Sequence, residues 1–236
     1  MVPIDKRLAA TAAFVPRGSV PLDIGTDHGR LPVYLVSKGI CRKAIASDIS
    51  APSLDKAKSL VRKCNLTGRV ETRLGSGLSV VNENEADTLI ITGMGGNELI
   101  SILEAGRERW KEFHTFIFQP MSSQAEFREY LPGSGLRIID EEIAFDNGRY
   151  YEVILVRHGV QRPLSAMECI VGPILAQKQG NHFQGYLQRK IKGVKRALEG
   201  VLASNDPGTR ARGEYYERLL QEMGELEKCH ANAKTS

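Results

Sequence analysis

Through residue 157, short apolar runs alternate with stretches whose apolar positions recur every three to four residues. Runs rich in β-branched and aromatic residues indicate strands, whereas a period of about 3.6 residues indicates amphipathic helices. The pattern predicts strands at residues 20–24, 44–48, 69–74, 87–91, 114–119, 136–144 and 150–157. It predicts helices at residues 5–14, 30–38, 51–63, 97–105 and 122–131. Because helices connect most successive strands, we expect an α/β fold with a mostly parallel, seven-stranded sheet.

The last two predicted strands are joined by Asn147-Gly148, a dipeptide that strongly favours a two-residue hairpin turn. These strands should therefore run antiparallel, whereas the earlier ones follow helical crossovers. A parallel sheet closed by such a hairpin is typical of the Rossmann-like class I methyltransferases that use S-adenosyl-L-methionine (SAM). The usual half-sheets of dehydrogenases lack that hairpin.

After residue 157 the strand pattern stops and a helical pattern takes over. Apolar residues recur at steps of four and three in two series, Phe183, Leu187, Ile191, Val194, Leu198, Val201 and then Tyr216, Leu219, Met223, Leu226. The breaker Asn205-Asp206-Pro207-Gly208 separates the two series. We predict a coiled-coil-like hairpin of two antiparallel helices. The domains are then residues 1–158, which carry the cofactor site, and residues 159–236, which form the helical hairpin.

Charges are distributed unevenly between these two parts. The chain of 236 residues has a formal net charge of +4. Residues 1–156 hold 19 basic and 20 acidic side chains, whereas residues 157–236 hold 13 and 8. A basic appendage suits a polyanion such as nucleic acid, although a solvated helix face shows the same pattern. The candidate RNA contacts are Arg189, Lys190, Lys192, Lys195 and Arg196.

The composition is ordinary for a globular protein, with 42% hydrophobic and 25% charged residues. No apolar run approaches the roughly 20 residues that cross a bilayer, and the N-terminus lacks a secretory signal pattern. We therefore expect a cytoplasmic protein without membrane contact. The four cysteines are isolated, which predicts no disulfide framework and no metal site. A hairpin whose apolar seam is covered internally is compatible with a monomer.

Candidate chemistry lies where the first two predicted strands end. The first strand runs into Asp23-Ile24-Gly25-Thr26-Asp27, and the second ends in Asp48. Ligands of α/β sheets bind at such strand ends, and an acid in the position of Asp48 can accept hydrogen bonds from both hydroxyls of a ribose. These features indicate a nucleoside-containing cofactor.

Asp27 helps to distinguish between two classes of cofactor, the dinucleotides and SAM. A dinucleotide is usually bound by a G-x-G-x-x-G turn, and Asp27 occupies the second glycine position, where it would repel a pyrophosphate. SAM has no phosphate, and its ammonium and sulfonium groups suit the carboxylates of Asp23 and Asp27, with an attraction of roughly a few kcal/mol at a partly buried site. Taken alone, Asp27 could instead be the N-cap of the helix that follows, although together with Asp48 a role in cofactor binding is favoured.

The whole chain resembles the bacterial tRNA (adenine-N1)-methyltransferases of the TrmK type, which act on adenine at position 22 of tRNA. The resemblance is most specific in the Asp-Ile-Gly-x-Asp-His block at residues 23–28 and the Gly-Met-Gly-Gly block at residues 93–96. It is also carried by Lys6-Arg7-Leu8, Leu31-Pro32, Gly75-Ser76-Gly77-Leu78, Gln119-Pro120, Tyr150-Tyr151-Glu152 and Gly172-Pro173. It implies a class I fold, SAM as cofactor and tRNA as partner.

The resemblance also implies a set of site residues. Cofactor contacts are expected from Asp23, Gly25, Thr26, Asp27, His28, Asp48, Ile49, Ser76, Gly77, Gly93 and Met94. Gly95 and Gly96 should let the backbone approach the target adenine, and Gln119 should read the edge of that base. Asp27 should also stabilise the charge that develops on N1. Tyr151 should stack on the exposed base, and the helical hairpin should bind the tRNA.

Two positions depart from the family pattern. Ser76 stands where the family usually has an Asp that accepts a hydrogen bond from the adenine amino group of the cofactor. Losing that charge should weaken cofactor binding by roughly 1–2 kcal/mol. Gly29-Arg30 stands where the family often has Ala-Tyr. Methylation of another RNA or of a protein, RNA binding without catalysis, and hydride transfer from a nicotinamide, which Asp27 disfavours, stay open alternatives.

Overall fold

A seven-stranded sheet organises the first part of the chain in the computed structural model, which describes residues 2–210 and 212–233. Its strands are β1 (Pro21–Ile24), β2 (Ala44–Asp48), β3 (Val70–Leu74), β4 (Thr88–Met94), β5 (Thr115–Pro120), β6 (Leu136–Asp146) and β7 (Arg149–His158). The strands lie in the order β3-β2-β1-β4-β5-β7-β6, and β7 runs antiparallel to both β5 and β6. The predicted fold class, a mostly parallel sheet closed by a hairpin, is confirmed.

Five helices flank this sheet, and two short 3₁₀ helices lie at Gly77–Val80 and Arg107–Glu112. The five are α1 (Lys6–Ala13), α2 (Arg30–Ser37), α3 (Ala51–Lys63), α4 (Gly96–Ala105) and α5 (Gln124–Ser134). Side-chain caps fix where two of them begin. The Asp5 carboxylate accepts the Leu8 backbone N–H at 2.7 Å, and the Ser50 hydroxyl accepts that of Ser53 at 3.4 Å.

Two elements extend further than the sequence pattern predicts. β4 continues past residue 91 to Met94 because Met94 still pairs with Pro120 of β5, across a register shift at Gly93. α5 continues past residue 131 to Ser134 with Pro132 inside it. Pro132 has no N–H to donate to the Arg128 carbonyl, so the last turn of α5 forms without that backbone hydrogen bond.

Separate apolar cores cover the two faces of the sheet. On one face, Leu99 of α4 and Phe127 of α5 pack in the same fully buried cluster as Phe118 of β5. On the other, α1, α2 and α3 contribute a cluster that includes Leu8 and Val33. Each such fully buried side chain stabilises the fold by roughly 1.5–3 kcal/mol. The second cluster fixes α1 against the sheet, which matters because α1 supplies an arginine to the candidate site.

The chain divides into two compact units, Met1–Pro163 and Leu164–Ser236. The second unit contains α6 (Ala166–Val171), α7 (Pro173–Lys178), α8 (Phe183–Ala203), α9 (Pro207–Arg210) and α10 (Gly213–Ala233). The long helices α8 and α10 pack against each other, and several residues of the predicted seam are buried there, Phe183, Leu187, Val194, Val201, Leu219 and Met223. The connection between them is not a simple turn, because α9 lies within it.

Helices α6 and α7 were missing from the sequence prediction. Ser165 and Glu168 form a capping box, in which the Ser165 hydroxyl accepts the Glu168 N–H at 3.2 Å and the Glu168 carboxylate accepts the Ser165 N–H at 2.9 Å. This S-x-x-E spacing is visible in the sequence and could have revealed α6.

No helix within residues 2–210 and 212–233 is both long and apolar enough to cross a membrane. The same residues contain no group of three or more His, Cys, Asp or Glu side chains that could hold a metal ion.

Candidate active site

The candidate site lies at the carboxyl ends of β1, β2, β4 and β5. β1 lies inside the sheet, with β2 on one side and β4 on the other. The chain therefore adds β2 and β3 on one side of β1 and then crosses to add β4 on the other side. Loops after such strands diverge, and the crevice between them is where open α/β sheets bind ligands.

A tight turn after β1 forms the centre of this edge. The Gly25 and Thr26 amides both donate to the Ser47 carbonyl of β2, at 2.9 and 3.0 Å. Gly25 has φ +71°, and a Cβ added to it would lie 2.2 Å from the Met94 methyl carbon. The positive φ favours glycine at this position, whereas the flexible end of the Met94 side chain could move away from an added Cβ. The turn therefore brings Met94 of β4 directly against the backbone that follows β1.

Asp23 is a buried acid below this turn, only 4% exposed. The Thr26 hydroxyl donates to its carboxylate at 2.6 Å. Burial raises the pKa of Asp23 to about 7, although the Thr26 hydrogen bond and the positive charge of Arg7 lower it in part. Without a bound cation, this carboxyl is largely protonated below neutral pH. A cationic ligand would favour its ionised form because the opposite charges attract each other.

Asp27 and Asp48 are brought together at the rim. The Asp27 backbone N–H points to one Asp48 carboxylate oxygen at 3.4 Å, and the other oxygen accepts the Ser50 N–H at 2.8 Å. Asp27 has φ +43°, and its exposed carboxylate lies 3.1 Å from Nδ1 of His28. The helix-cap alternative for Asp27 does not describe its place here, because Gly29 occupies the N-cap position of α2.

Two large apolar side chains are exposed beside Asp48. Ile49 is 76% exposed and Leu74 is 60% exposed, and Leu74 is paired with Asp48 across β2 and β3. The Gly75 amide donates to the Asp48 carbonyl at 3.1 Å, which holds the following Ser76 and Gly77 at the same edge. An acid flanked by exposed apolar side chains suits a ribose joined to a flat aromatic base.

The loop after β4 is held by the loop after β5. The Gly96 amide donates to the Ser122 carbonyl at 2.8 Å, and the Met121 amide donates to the Met94 carbonyl at 2.7 Å. A Cβ on Gly96 would lie 2.1 Å from the Ser123 carbonyl oxygen, whereas one on Gly95 would meet the Ser122 hydroxyl at 3.1 Å. Glycine is therefore required at position 96 because the two loops approach each other closely there. At the exposed Gly93, glycine is favoured for another reason, the positive φ of +82°.

Gln119 is fully buried and already hydrogen bonded within the protein. Its side-chain oxygen accepts from Arg7 Nη1 at 2.9 Å, and its side-chain nitrogen donates to the Pro120 carbonyl at 3.1 Å. For Gln119 to read a target base, the contact with Arg7 would have to be exchanged. As the structure stands, the Gln119 side chain anchors Arg7.

Arg7 is the site residue whose role the sequence reasoning missed. It reaches from α1 to Gln119, and its charge acts on Asp23. It also lies near the loop after β4, because a Cβ on Gly93 would be 3.7 Å from Arg7 Nη1. Residues 7 and 119 are separated by 112 positions, so no local pattern indicates that they meet.

Tyr151 is half-buried near the start of β7 and is paired with Ala144 of β6. Because β7 runs antiparallel to β5, this end of β7 lies towards the carboxyl end of β5. The position is compatible with the predicted contact to a base.

In the second unit, four of the five predicted RNA contacts form one exposed stripe along α8: Arg189, Lys192, Lys195 and Arg196. At about 100° per residue, they fall within a third of the helix circumference. Lys190 points elsewhere, and its ammonium lies 5.3 Å from the ring centre of Tyr186. We define these four residues as the α8 stripe.

The buried Asp23 makes the stability of the ligand-free protein depend on pH. The folded protein keeps Asp23 protonated up to about pH 7, whereas the unfolded chain ionises it near the ordinary value of 3.8. Stability is therefore lost as pH rises from about 4 to 7 and stays reduced above 7. We expect Asp23→Asn to raise the free energy of unfolding at pH 8 by up to about 4 kcal/mol, with little effect below pH 4. Urea unfolding at both pH values measures this.

Arg7→Ala provides the companion experiment. Removing the positive charge raises the pKa of Asp23 further, so the loss of stability should extend to higher pH than in the wild type. Lys6→Ala, at the exposed neighbouring position, should leave the pH range unchanged. Equal pH profiles for Arg7→Ala and the wild type would contradict the placement of Arg7 beside Asp23.

Comparisons with known proteins show which family and which solved structures this chain resembles. Residues 4–154 match the model of a methyltransferase domain family. A Bacillus subtilis tRNA (adenine(22)-N(1))-methyltransferase is 36% identical over 209 residues, which cover 86% of this chain and 87% of that protein. The crystal structure of the B. subtilis m1A22 tRNA methyltransferase TrmK superposes with a TM-score of 0.86, at 29% identity over 96% of this chain and 100% of that one. A Streptococcus pneumoniae structure in complex with SAM superposes with a TM-score of 0.84, at 29% identity over 95% and 100% of the two chains.

Proposed function

This chain belongs to the family of bacterial tRNA (adenine(22)-N(1))-methyltransferases, and we propose on that basis which of its residues bind the cofactor, the target adenine and the tRNA. The protein is a SAM-dependent enzyme that methylates N1 of an adenine in tRNA. In our assignment, the carboxyl ends of β1 and β2 hold the cofactor, the loops after β4 and β5 hold the target adenine, and the α8 stripe holds tRNA.

The residues at the carboxyl edge fit SAM. The carboxylates of Asp23 and Asp27 suit a ligand with an ammonium and a sulfonium, whereas a pyrophosphate would meet the exposed charge of Asp27. Asp48 would accept the ribose hydroxyls, and the exposed Ile49 and Leu74 offer apolar contact to the adenine ring. Thr26 and His28 would orient the amino-acid end. Ser76 and Gly77 would lie against the adenine, with a neutral hydroxyl in place of the usual charged acceptor.

Methyl transfer to adenine N1 requires the side chains of the site mainly to position the two reactants and to stabilise charge. When bound, SAM supplies a methyl group on a positively charged sulfur. Adenine N1 would form the new bond to the methyl carbon with its free lone pair while the methyl–sulfur bond breaks and leaves a neutral thioether. No residue must therefore act as a strong base, and the protein contributes alignment and exclusion of water. Because N1 lies on the Watson–Crick edge, the adenine must leave its base pair before it can react.

The product adenine carries a positive charge, and Asp27 is placed to stabilise that charge as it develops. Gly93 near the end of β4 and Gly95 and Gly96 at the start of α4 carry no side chains, so the backbone carbonyls of this segment can approach the adenine amino group. Met94 lies between this loop and the turn after β1. Tyr151 would stack on the base.

The proposal rests mainly on one observation. The carboxylates of Asp23, Asp27 and Asp48 lie around the glycine turn after β1, where the chain crosses from one side of β1 to the other, and the glycine-rich segment at the end of β4 lies beside this turn. We test it by incubating the protein with radiolabelled SAM and an unmodified bacterial tRNA, followed by analysis of the nucleosides. We expect label in N1-methyladenosine with the wild type and, at a SAM concentration below saturation, a large loss of label with Asp48→Asn. Label in another nucleoside, or in protein, would contradict the proposal.

The α8 stripe yields a prediction about tRNA affinity. Reversing two of its charges, in Lys192→Glu together with Lys195→Glu, should weaken tRNA binding by about tenfold or more and reduce the salt dependence of binding by about 1.5–2 in slope. SAM affinity should be unchanged, because that site lies in the other unit. Fluorescence anisotropy with labelled tRNA at several salt concentrations measures both quantities.

The matched control for the stripe reverses two basic residues of α10, in Arg218→Glu together with Lys228→Glu. Both residues are exposed and belong to the same unit, so the net charge changes equally. If the control and the stripe variant weaken tRNA binding to the same extent, the effect is one of overall charge and the stripe is not the contact.

We also propose that the protein is a monomer and that it works in the cytoplasm, where a bacterial tRNA substrate is found. The monomer is supported by the burial of Val194, Val201, Leu219 and Met223 between helices of the second unit, which leaves the seam covered within one chain. Sedimentation velocity should give a single species near the monomer mass of 26.1 kDa. A concentration-dependent species of twice that mass would contradict it.

A further inference from the structure

A groove of about 1120 Å³ lies on the outside of the first unit. It is bounded by the N-terminal segment at Val2 and Pro3, by α2 and by α3. One end reaches His28, which follows Asp27 in the cofactor turn. The groove therefore starts at the candidate active site and runs along the helices that cover β1 and β2.

The charges that line this groove are unbalanced. Arg30, Lys56 and Lys63 are exposed along it, and Asp55 is the acid among the lining residues. Asp55 is already paired with Lys58 at 3.1 Å. Within residues 2–210 and 212–233, Arg30, Lys56 and Lys63 form no ion pair of their own, so the groove offers three uncompensated positive charges.

The position of Arg30 is the most informative of the three. It is the first residue of α2, and the N-terminal end of a helix carries a partial positive charge. The N-cap residue Gly29 provides no side-chain acceptor for the first amides. A cation at this end is unfavourable on its own, whereas an anion placed there would be attracted by both the guanidinium and the helix.

The spacing of the two lysines favours an extended anion over a small one. Lys56 and Lys63 lie seven residues apart on α3, which at 1.5 Å per residue is about 10.5 Å along the axis. They therefore cannot both contact one phosphate group. The groove has no Phe, Tyr or Trp among its lining residues, and the ring of His28 lies only at its end, so backbone contact along the groove fits better than base stacking.

We propose that this groove binds phosphates of the tRNA, so that the methyltransferase unit itself contributes to gripping the substrate beside the active site. The proposal rests on the proposed function, because tRNA is the polyanion that the enzyme must bind. Contacts of this kind add affinity without reading sequence and position the RNA for the reaction.

The test compares two double charge reversals in the full chain. Lys56→Glu with Lys63→Glu should weaken tRNA binding by about tenfold or more and lower the slope of log affinity against log salt by about 1.5–2. SAM affinity, measured by calorimetry, should stay within twofold of the wild type. The matched control is Arg17→Glu with Lys111→Glu, at exposed positions before β1 and β5 and thus at the opposite edge of the sheet. It should change tRNA affinity less than twofold.

Equal weakening by the two double variants, or wild-type affinity and salt slope in the groove variant, would overturn the proposal. So would a groove variant whose tRNA affinity falls while its salt slope stays that of the wild type, because phosphate contacts must change both. Methyl transfer by the wild type is measured separately. Failure of the proposed function appears as absence of N1-methyladenosine with the wild type, whereas failure of the groove appears only in the comparison of variants.

Discussion

Replacing Gly96 with alanine should reduce methyl transfer by at least a hundredfold while leaving SAM affinity within about threefold of the wild type. The added Cβ would lie 2.1 Å from the Ser123 carbonyl oxygen and 2.8 Å from the carbonyl carbon, a distance that no rotamer can relieve. The loops after β4 and β5 would have to separate, and a misplacement of about 1 Å near reacting groups costs on the order of a hundredfold in rate. Steady-state kinetics and calorimetry with SAM measure the two effects separately.

Gly133→Ala is the matched control for this change. Gly133 lies in α5, and a Cβ there would meet nothing within 4 Å. It should leave both activity and SAM affinity unchanged, and replacing a helical glycine should not destabilise the protein. If Gly96→Ala retained activity within threefold of Gly133→Ala, the loop after β4 would not be the part of the site that holds the adenine.

Asp48→Asn should produce the largest loss of cofactor affinity, about a hundredfold in Kd. The carboxylate is positioned by the Ser50 amide at 2.8 Å and lies at the end of β2, where an acid accepts both hydroxyls of a ribose. Each charge-assisted hydrogen bond contributes roughly 1.5–3 kcal/mol, and the amide retains a single acceptor oxygen. The turnover number at saturating SAM should fall much less than the affinity, because Asp48 does not face the reacting atoms.

The control for Asp48→Asn is Asp55→Asn, which removes an exposed carboxylate from α3 with the same change in charge. It should leave SAM affinity unchanged. Calorimetry with SAM and with its demethylated product should give parallel losses for Asp48→Asn, since both share the ribose. An unchanged Kd for both ligands would contradict the assignment of Asp48.

The elements of the fold were largely predictable because their signals are local. β2 has the predicted bounds, and Asp5 and Ser50 cap helices as their residue types suggest. Asn147-Gly148 marks the turn between β6 and β7, where both residues have positive φ. The sequence predicts a mostly parallel sheet closed by an antiparallel hairpin, whereas the order of the strands is set by tertiary packing and is visible only in the structure.

The rest of the candidate site depends on contacts between distant residues. Arg7 donates a hydrogen bond to Gln119, which lies 112 positions away in the sequence. This contact gives Arg7 a place in the candidate site and holds the Gln119 side chain within the protein. The need for glycine at position 96 arises from the carbonyl of Ser123, which belongs to another loop. Burial of Asp23, and hence its raised pKa, likewise depends on packing of the finished fold. Local patterns reveal residue types and periods, whereas these effects are set by tertiary structure.

The most direct measurement compares methyl transfer to two tRNA transcripts that differ at one nucleotide. One has adenine at position 22, the other has guanine there, and reverse transcription locates any N1-methyladenosine because that base blocks pairing. The account predicts one methyl group per molecule, placed at position 22, and no transfer to the guanine-bearing transcript. Equal transfer to both transcripts, or a block at any other position, would contradict it.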